Sequence, residues 1–285
     1  MSRIAYVNGQ FLPHTRASVH IEDRGYQFGD AIYEVWSLRG GSFLDREGHF
    51  VRLERSLREL EIGMPVSRRA LEIILSEIVR RNRICDGLVY LQISRGVARR
   101  DHAFPSPPVS PSLVVTAKRV DPAKLEAKAE AGVSVISGPD QRWGRCDIKT
   151  VNLLPNVLAK QAAREAGAAE TWMVDASGHV TEGSSSNAWI VDRTGKLVTR
   201  QLDNAILHGI TRRSIVDVAT GLGYEVEERA FTLEEAYAAR EAFMTSASTF
   251  VTPITQIDGR PVGNGSPGSI AAELRSAYQE QQVLK

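Results

Sequence analysis

Cysteine and long apolar runs are what the sequence has least of. Its 285 residues contain two cysteines, Cys85 and Cys146, too few and too unpatterned for a disulfide framework or a zinc site. No apolar run approaches the roughly 20 residues of a membrane-spanning helix, and the first residues lack the apolar core of a signal peptide. These absences predict a cytoplasmic protein without a membrane partner.

An excess of charge of either sign is also missing, because 35 Lys and Arg residues balance 34 Asp and Glu residues. A net charge of +1 gives no basic footprint, so we expect no nucleic-acid partner. The six histidines are scattered without metal-site spacing, so no metal is expected. The sequence has no GxSxG elbow and no P-loop, which disfavours the enzyme classes that depend on them.

Length and pattern predict two domains. A chain of 285 residues exceeds the commonest size of a single core. The pattern of strands and helices breaks at 120–124, so we predict an N-terminal α/β domain over residues 1–119 and a C-terminal domain over residues 120–285. Mixed strands, helices and hairpins favour an α+β fold with the active site in a cleft between the domains.

Hydrophobic periodicity and turn residues predict the individual elements. The dipeptide Asn8-Gly9 favours a type I′ hairpin within 4–12, because both central residues of that turn need a positive φ. Residues 22–30 are typical of a polar loop, and a long proline-rich loop is expected between the strands at 88–93 and 112–117. The other expected strands are 31–38, 132–137, 170–175, 187–192, 224–229 and 242–245, with a hairpin at Asp258-Gly259, and the expected helices are 47–62, 153–166 and 211–220 and three that begin at 67, 233 and 269.

Lys149 is the candidate nucleophile. It follows a strand-like run at 132–138 and comes just before the helical pattern at 153–166, where side chains can be held at a site. A lone lysine is more often a solvated surface group, and this alternative stays open for the stretch alone.

Three polar stretches accompany this lysine. Glu182 lies in the hydroxyl-rich run 181–187 and suits a carboxylate facing a protonated ring nitrogen, although the run also suits a self-capping loop. The run 208–212 opens a helix whose free N–H groups suit a phosphate, and an ordinary threonine cap is the alternative. The hydroxyls of 244–249 suit either a ligand or a polar turn.

Arg100 and His102 lie one residue apart in the long loop. Side chains at this spacing in an extended segment point to the same side, so the pair could hold one carboxylate. Arg99 beside them is equally consistent with a solvated basic loop tip.

Taken together and in order, seven stretches resemble the fold-type IV family of pyridoxal-phosphate enzymes, and the match covers nearly the whole chain. The resemblance implies a two-domain α+β fold in which each domain has a mainly antiparallel or barrel-like sheet with covering helices. The stretches are 22–30 with 33–35, 49–53, 95–96, 100–105, 145–149, 181–187 and 209–212.

The resemblance also assigns roles. Lys149 resembles the lysine that forms a Schiff base with pyridoxal 5′-phosphate and then moves a proton, and Glu182 resembles the partner of the pyridine nitrogen. Ala247 stands where the family pattern has a hydroxyl residue, which leaves either one phosphate contact fewer or Ser248 as a substitute. The further expected cofactor contacts are Arg52, Ser185, Ile210, Thr211 and Ser246, and the expected trap for the substrate carboxylate is Tyr33, Arg100 and His102.

Within this family, the Arg100 and His102 pair is typical of transaminases that act on D-amino acids. The resemblance therefore implies transfer of the amino group of a D-amino acid, such as D-alanine, to a 2-oxo acid, such as 2-oxoglutarate. A homodimer is implied, because the arginine and histidine reach over from the partner subunit. The alternatives are a branched-chain L-amino-acid aminotransferase, then aminodeoxychorismate lyase, which shares the lysine but eliminates pyruvate, and last a noncatalytic protein of the same fold.

Overall fold

The computed structural model describes residues 3–283, and its contacts divide the chain into two units. The first unit comprises Met1–Asp121 together with Ile148–Asn152, and the second comprises Pro122–Asp147 and Leu153–Lys285. The boundary predicted between residues 119 and 120 stays a prediction. The contacts group Lys149 with the first unit, whereas the sequence pattern predicted that it belongs to the C-terminal domain.

The first unit contains one antiparallel sheet covered by helices. Its six strands lie in the order β2-β1-β6-β5-β3-β4, and every pair in this order is antiparallel. The elements are β1 (Ile4–Val7), β2 (Gln10–Pro13), a 3₁₀ turn (His14–Arg16), α1 (Arg24–Phe28), β3 (Ala31–Arg39), β4 (Ser42–Phe43), α2 (Arg46–Glu59), α3 (Arg68–Asn82), β5 (Gly87–Ser94) and β6 (Ser112–Arg119).

Helices α2 and α3 cover the sheet with the apolar faces that the periodicity predicted. Phe50, Leu53 and Leu57 of α2 are buried, as are four side chains of α3, namely Leu71, Ile74, Leu75 and Ile78. Each such side chain contributes about 1.5–3 kcal/mol by leaving water. The hydroxyl of Ser67 accepts a hydrogen bond from the Ala70 amide and starts α3 at the predicted place.

The turn residues were interpreted correctly in one place and wrongly in another. Asn8 and Gly9 both have positive φ, 44° and 96°, which confirms the predicted hairpin between β1 and β2. The loop expected at 22–30 is wrong in its middle, where α1 forms. Asp23 caps this helix by accepting a hydrogen bond from the Gly25 amide, and Gly29 ends it with a φ of 68°. Five helical residues are too few for periodicity to reveal.

The second unit contains a mixed sheet of ten strands in the order β12-β11-β10-β14-β15-β7-β8-β9-β13, with β16 paired to β15. Most pairs are antiparallel, and the parallel ones are β11 with β12, β15 with β7 and β7 with β8. The elements are α4 (Pro122–Ala131), β7 (Val133–Pro139), α5 (Leu154–Glu165), β8 (Glu170–Val174), β9 (His179–Gly183), β10 (Asn187–Val191), β11 (Leu197–Thr199), α6 (Ile210–Gly221), β12 (Val226–Glu228), β13 (Phe231–Thr232), α7 (Leu233–Ala238), β14 (Glu241–Ser246), β15 (Phe250–Ile257), β16 (Arg260–Pro261) and α8 (Ser269–Val283). The two sheets with their covering helices confirm the α+β prediction.

Four elements of the second unit were not predicted, namely α4, β9 and the short strands β11 and β13. Helix α4 begins within the stretch 120–124, where the pattern breaks. Strand β9 takes up residues that were interpreted as part of a loop, and it places Thr181 and Glu182 in the sheet with their side chains buried. Buried polar residues do not produce the alternation of apolar and polar positions by which a strand is recognised, so this strand escapes the pattern.

Among residues 3–283, no helix combines the length and the apolar character that crossing a membrane requires. Within the same range, no three His, Cys, Asp or Glu side chains are grouped so that they could hold a metal ion.

Candidate active site

Lys149 is held by its backbone against strand β3. The Tyr33 amide donates a hydrogen bond to the Lys149 carbonyl over 3.0 Å, and Ile32 and Thr150 form an antiparallel bridge. The neighbouring Ile148 is buried in the apolar core of the first unit. Both sides of the lysine are therefore fixed, and only its side chain is left to move.

The amine of Lys149 lies over an aromatic ring. Its Nζ is 4.2 Å from the centroid of Tyr33, and within the described part of the first unit it has no hydrogen-bond or ion-pair partner. Tyr33 in turn stacks on Tyr90 with 5.7 Å between ring centroids. Burial, assisted by the neighbouring Tyr33, raises the pKa of Tyr90 to about 12, so this phenol stays neutral. Lys149 is half-buried, and its amine forms no ion pair with a carboxylate in the described part of its own unit.

Arg52 is locked to strand β3 by a buried carboxylate. Its Nε and Nη2 donate to the two oxygens of Glu34 over 2.7 and 2.8 Å, and His49 Nδ1 lies 2.8 Å from the same carboxylate. All three side chains are buried. A guanidinium held by a planar pair of hydrogen bonds has a fixed direction, as an arginine that binds a phosphate needs.

Burial and the neighbouring charges shift the pKa values of Glu34 and His49. Burial alone would raise the pKa of Glu34, but Arg52 and His49 outweigh it and hold that pKa at about 2. Burial lowers the pKa of His49 despite the nearby Glu34. Glu34 is therefore ionised and neutralises Arg52. Neither Glu34 nor His49 was assigned a role from the sequence, although a glutamate in an otherwise apolar strand was the available signal.

The loop between β5 and β6 brings Arg100 and His102 together on one ring. The Arg100 Cζ lies 5.2 Å from the centroid of Phe28, and the His102 ring centroid lies 5.5 Å from it. Both side chains are exposed. Asp101 accepts a hydrogen bond from the Ala103 amide, and among the described residues of this unit it forms no ion pair with Arg100. The pair therefore keeps its donors for a ligand.

In the second unit, Glu182 has a buried arginine as its neighbour. Arg142 Nη1 forms an ion pair with Glu182, and the Leu207 amide donates to the same carboxylate over 3.0 Å. Arg142 also binds Asp140, with 2.6 Å from Nη2 to Oδ2, and the Ala205 carbonyl. No role could be predicted for Arg142 from the sequence, because its contacts with Glu182 and Ala205 join residues far apart along the chain.

The arginine keeps its charge although it is buried. Burial lowers the pKa of Arg142, but Asp140 and Glu182 outweigh this effect and raise that pKa. Burial raises the pKa of Asp140, and the hydrogen bond and charge of Arg142 lower it by more. Glu182 thus lies beside a permanent positive charge, which fixes its position.

Asn187 joins Glu182 to the start of helix α6. Its Nδ2 donates to Glu182 Oε2 over 2.9 Å and to the Leu207 carbonyl over 3.0 Å. A Cβ atom added to Gly209 would lie 2.0 Å from the Asn187 Oδ1, so only glycine fits at this position. The residue was part of the polar stretch 181–187, but its contacts could not be deduced from that stretch.

The start of α6 is suited to an anion. Gly209 provides no side-chain cap for the helix. Thr211, in the first turn, is buried, and its hydroxyl has no hydrogen-bond partner among residues 3–283. A buried hydroxyl without a partner is costly unless a ligand completes it, and free amides at the positive end of a helix favour a phosphate. Ile210 and Thr211 therefore fit the phosphate of the expected cofactor.

The hydroxyls of 246–249 form a turn between β14 and β15. Ser246 Oγ accepts a hydrogen bond from the Thr249 amide over 3.2 Å and lies 3.2 Å from Ser248 Oγ. Asn187 pairs with Thr245 in the sheet, so this turn begins beside the residue that also holds Glu182. Ala247 offers no hydroxyl there, and its assignment stays a prediction.

Ser185 has a partner other than the expected cofactor. Its Oγ donates to Glu170 over 2.8 Å, and the hydroxyls of Ser184 and Ser186 reach the same buried carboxylate. The hydroxyls of three consecutive serines thus donate hydrogen bonds to one glutamate. The assignment of Ser185 to the cofactor also stays a prediction, as do the other assignments to ligands.

The sequence is similar to a known family of enzymes. The family model for amino-transferase class IV matches residues 31–257. A protein named D-alanine aminotransferase from Bacillus licheniformis is 39% identical over 95% of this chain and 94% of its own. One of the same name from Listeria innocua is 41% identical over 97% of this chain and 95% of its own.

Solved structures agree in fold. A branched-chain amino acid aminotransferase from T.th., solved with pyridoxamine 5′-phosphate, superposes with a TM-score of 0.88 at 28% identity, covering 98% of this chain and 94% of that one. The branched-chain enzyme of Escherichia coli, at 23% identity, gives a TM-score of 0.89 over 99% of this chain and 95% of that one, and this likeness concerns the fold alone. With the family model spanning most of the sequence and full-length relatives at 39–41% identity, the chain belongs to the class IV aminotransferases.

Proposed function

We propose that this protein is a transaminase that moves the amino group of a D-amino acid such as D-alanine to a 2-oxo acid such as 2-oxoglutarate. The observation that carries the proposal is the full-length identity of 39–41% to proteins named D-alanine aminotransferase. The cofactor is pyridoxal 5′-phosphate, which when bound withdraws electrons from the substrate α-carbon. The unpartnered Thr211 hydroxyl at the open start of α6 supports this cofactor from within the chain.

Lys149 is the proposed catalytic residue. Its amine would hold the cofactor through a Schiff base, and once released by the substrate its Nζ would carry the proton taken from the substrate α-carbon. The amine can do this because no carboxylate of its unit holds it and its backbone is fixed against β3. Tyr33, whose ring lies under Nζ, limits where the amine can go.

Glu182 is the proposed partner of the pyridine nitrogen. A carboxylate at that nitrogen stabilises its protonated form, which makes the ring the stronger electron acceptor. Arg142 and Asn187 hold Glu182 in place. The proposed phosphate contacts are Arg52, Ile210, Thr211, Ser246 and Ala247, with Ser248 as the substitute, and Ser185 is a further proposed cofactor contact.

Tyr33, Arg100 and His102 are the proposed trap for the substrate carboxylate. A cationic donor and an imidazole on the same ring can take the two oxygens of one carboxylate. We propose that the protein acts in the cytoplasm as a homodimer, in which each copy supplies Arg100 and His102 to the other.

The alternative is a branched-chain L-amino-acid aminotransferase, which the structural likeness to the T.th. enzyme supports. The test is to mix the purified holoenzyme with D-alanine and, separately, with L-leucine, and to follow the absorbance of the bound cofactor. We expect conversion of the cofactor to its amine form with D-alanine only. Conversion with L-leucine only would transfer the function to the alternative, and a protein without bound cofactor would contradict both.

Replacing Arg100 with alanine tests the carboxylate trap. We expect KM for D-alanine to rise about 10-fold to 100-fold, since a hydrogen bond to a charged group contributes about 1.5–3 kcal/mol. Cofactor affinity should not change, because Arg100 lies on an exposed loop. The measurement is steady-state kinetics together with titration of the apoenzyme with the cofactor. Loss of cofactor binding would show that the loop has another role.

Replacing Thr211 with valine tests the phosphate contact. Valine keeps the shape of threonine and removes the buried hydroxyl that has no partner in the described structure. We expect the dissociation constant of the cofactor to rise about 10-fold or more, while the melting temperature of the apoprotein stays the same or rises. Fluorescence titration and thermal unfolding measure the two quantities. Unchanged cofactor affinity would remove Thr211 from the site.

A further inference from the structure

Arg24 lies beneath the loop that carries Arg100 and His102. The side chain is buried, at 3% exposure, and its Nη1 donates to the Asp101 carbonyl over 2.6 Å. Its Nη2 makes a longer contact of 3.4 Å with the His102 carbonyl. One guanidinium therefore contacts the backbone at the middle and at the last residue of the stretch from 100 to 102.

The same short helix also supports the side chains of the pair. Arg24 and Phe28 lie four residues apart on α1, so they share a face of the helix, and the Arg24 Cζ is 4.7 Å from the Phe28 centroid. Arg100 and His102 both lie against this ring. Helix α1 thus provides a hydrogen-bond donor for the loop backbone and an aromatic surface for the loop side chains.

Arg24 is itself held from behind by charge. Its Nε donates to Asp30 Oδ2 over 2.8 Å, and Arg95 donates to the same carboxylate over 2.7 and 3.0 Å. Arg95 also binds the carbonyls of Leu60 and Glu61 just after α2. The Arg24 amide donates to the Gly96 carbonyl over 2.9 Å, which fixes the start of the loop. The guanidinium therefore has a set position before any ligand binds.

We propose that Arg24 is a positioning residue that holds Arg100 and His102 in the arrangement that binds the substrate carboxylate. The inference rests on the proposed function, because it needs the pair to be the carboxylate trap. The loop has no helix or strand of its own between β5 and β6; a bridge between Asp23 and Val97 holds its start, and the Arg24 guanidinium holds the backbone at residues 101 and 102. Binding a carboxylate with a loop that is already ordered avoids the entropy cost of fixing it.

An arginine is required here by geometry. Its planar fork can donate to Asp30 and to the backbone carbonyls in fixed directions at once. Lysine keeps the positive charge beside Asp30 but has a single nitrogen, which cannot be directed at the carboxylate and both carbonyls together. Arg24→Lys should therefore leave the fold intact and loosen the loop.

The experiment compares the wild-type holoenzyme with Arg24→Lys and with the control Arg58→Lys, an exposed arginine on α2. We expect Arg24→Lys to raise KM for D-alanine and the inhibition constant of propionate by about five- to tenfold, in line with the cost of fixing two free side chains. Turnover at saturation and cofactor affinity should stay within about twofold. Arg58→Lys should change none of these values.

A second variant, Phe28→Leu, keeps the proposal testable if Arg24→Lys fails to fold. Phe28→Leu removes the ring under Arg100 and His102 and leaves the Arg24 side chain and its hydrogen bonds in place, and it should raise the same two constants. Unchanged constants in both variants would overturn the proposal. So would a joint fall in turnover and cofactor affinity, because that result indicates a structural role only.

Failure of this inference can be told apart from failure of the trap. In an enzyme that already carries Arg100→Ala and His102→Ala, adding Arg24→Lys should raise the propionate constant no further. A further rise would show that Arg24 acts elsewhere and would overturn the inference. If Arg100→Ala and His102→Ala leave KM and the propionate constant unchanged, the trap in the proposed function is wrong.

Discussion

Replacing Lys149 with alanine is expected to lower turnover at least about a thousandfold, the range that a positioned proton-transfer group contributes. In the proposed mechanism this amine both holds the cofactor and moves the α-proton. The substitution therefore removes the group on which both steps depend. The nearest described aromatic neighbour, Tyr33, offers only a phenol, and it cannot replace an amine as a nucleophile toward an aldehyde. Steady-state kinetics with D-alanine measures the effect.

The matched control is Lys118→Ala, an exposed lysine on β6 of the same unit. Borohydride reduction gives a second readout, because it fixes the cofactor permanently to the amine that holds it. Peptide mass analysis should find the cofactor on Lys149 in the wild type and in the control, and on no lysine in the Lys149 variant. Near wild-type turnover in the Lys149 variant would remove the centre of the proposed mechanism.

Local signals in the sequence predicted most of the fold. The hairpin at Asn8-Gly9 and the Ser67 cap depend on residues close together in the chain, and the faces of α2 and α3 depend on their own periodicity. Helix α1 and strand β9 were missed for physical reasons. The first is too short for a period, and the second contains polar residues whose burial depends on partners elsewhere in the sheet.

The candidate site divides in the same way. Arg100, His102 and the start of α6 could be proposed from the sequence, because donors at a given spacing, or at a helix start, have a meaning within a few residues. Glu34, Arg142 and Arg24, which hold groups of the candidate site, were assigned no role because each contacts a residue far along the chain. Arg52 binds Glu34 18 positions away, Arg142 binds Glu182 40 positions away, and Arg24 binds the carbonyl of residue 101, 77 positions away. Such pairings follow from the tertiary fold, so no local sequence pattern predicts them.

Replacing Glu34 with glutamine should destabilise the protein more than any surface substitution. The change leaves the buried guanidinium of Arg52 without its negative partner, and removing one member of a buried ion pair costs about 3–5 kcal/mol. The free energy of unfolding in urea at pH 7 measures it. Glu130→Gln, at an exposed position on α4, is the control and should stay within about 0.5 kcal/mol of the wild type.

The difference in the free energy of unfolding between wild type and Glu34→Gln should depend on pH. The pKa of Glu34 is lowered in the folded protein from 4.5 to about 2, so its stabilising effect is fully present above pH 4.5 and is lost as the pH falls toward 2. Glutamine does not titrate, so the difference between wild type and Glu34→Gln should shrink over that range. A difference that stays constant from pH 7 to the acid limit would mean that packing, and not the charge of Glu34, holds Arg52. Arg52 would then keep its direction without the carboxylate, and the cofactor affinity of Glu34→Gln at pH 7 would match the wild type instead of falling with the lost anchor.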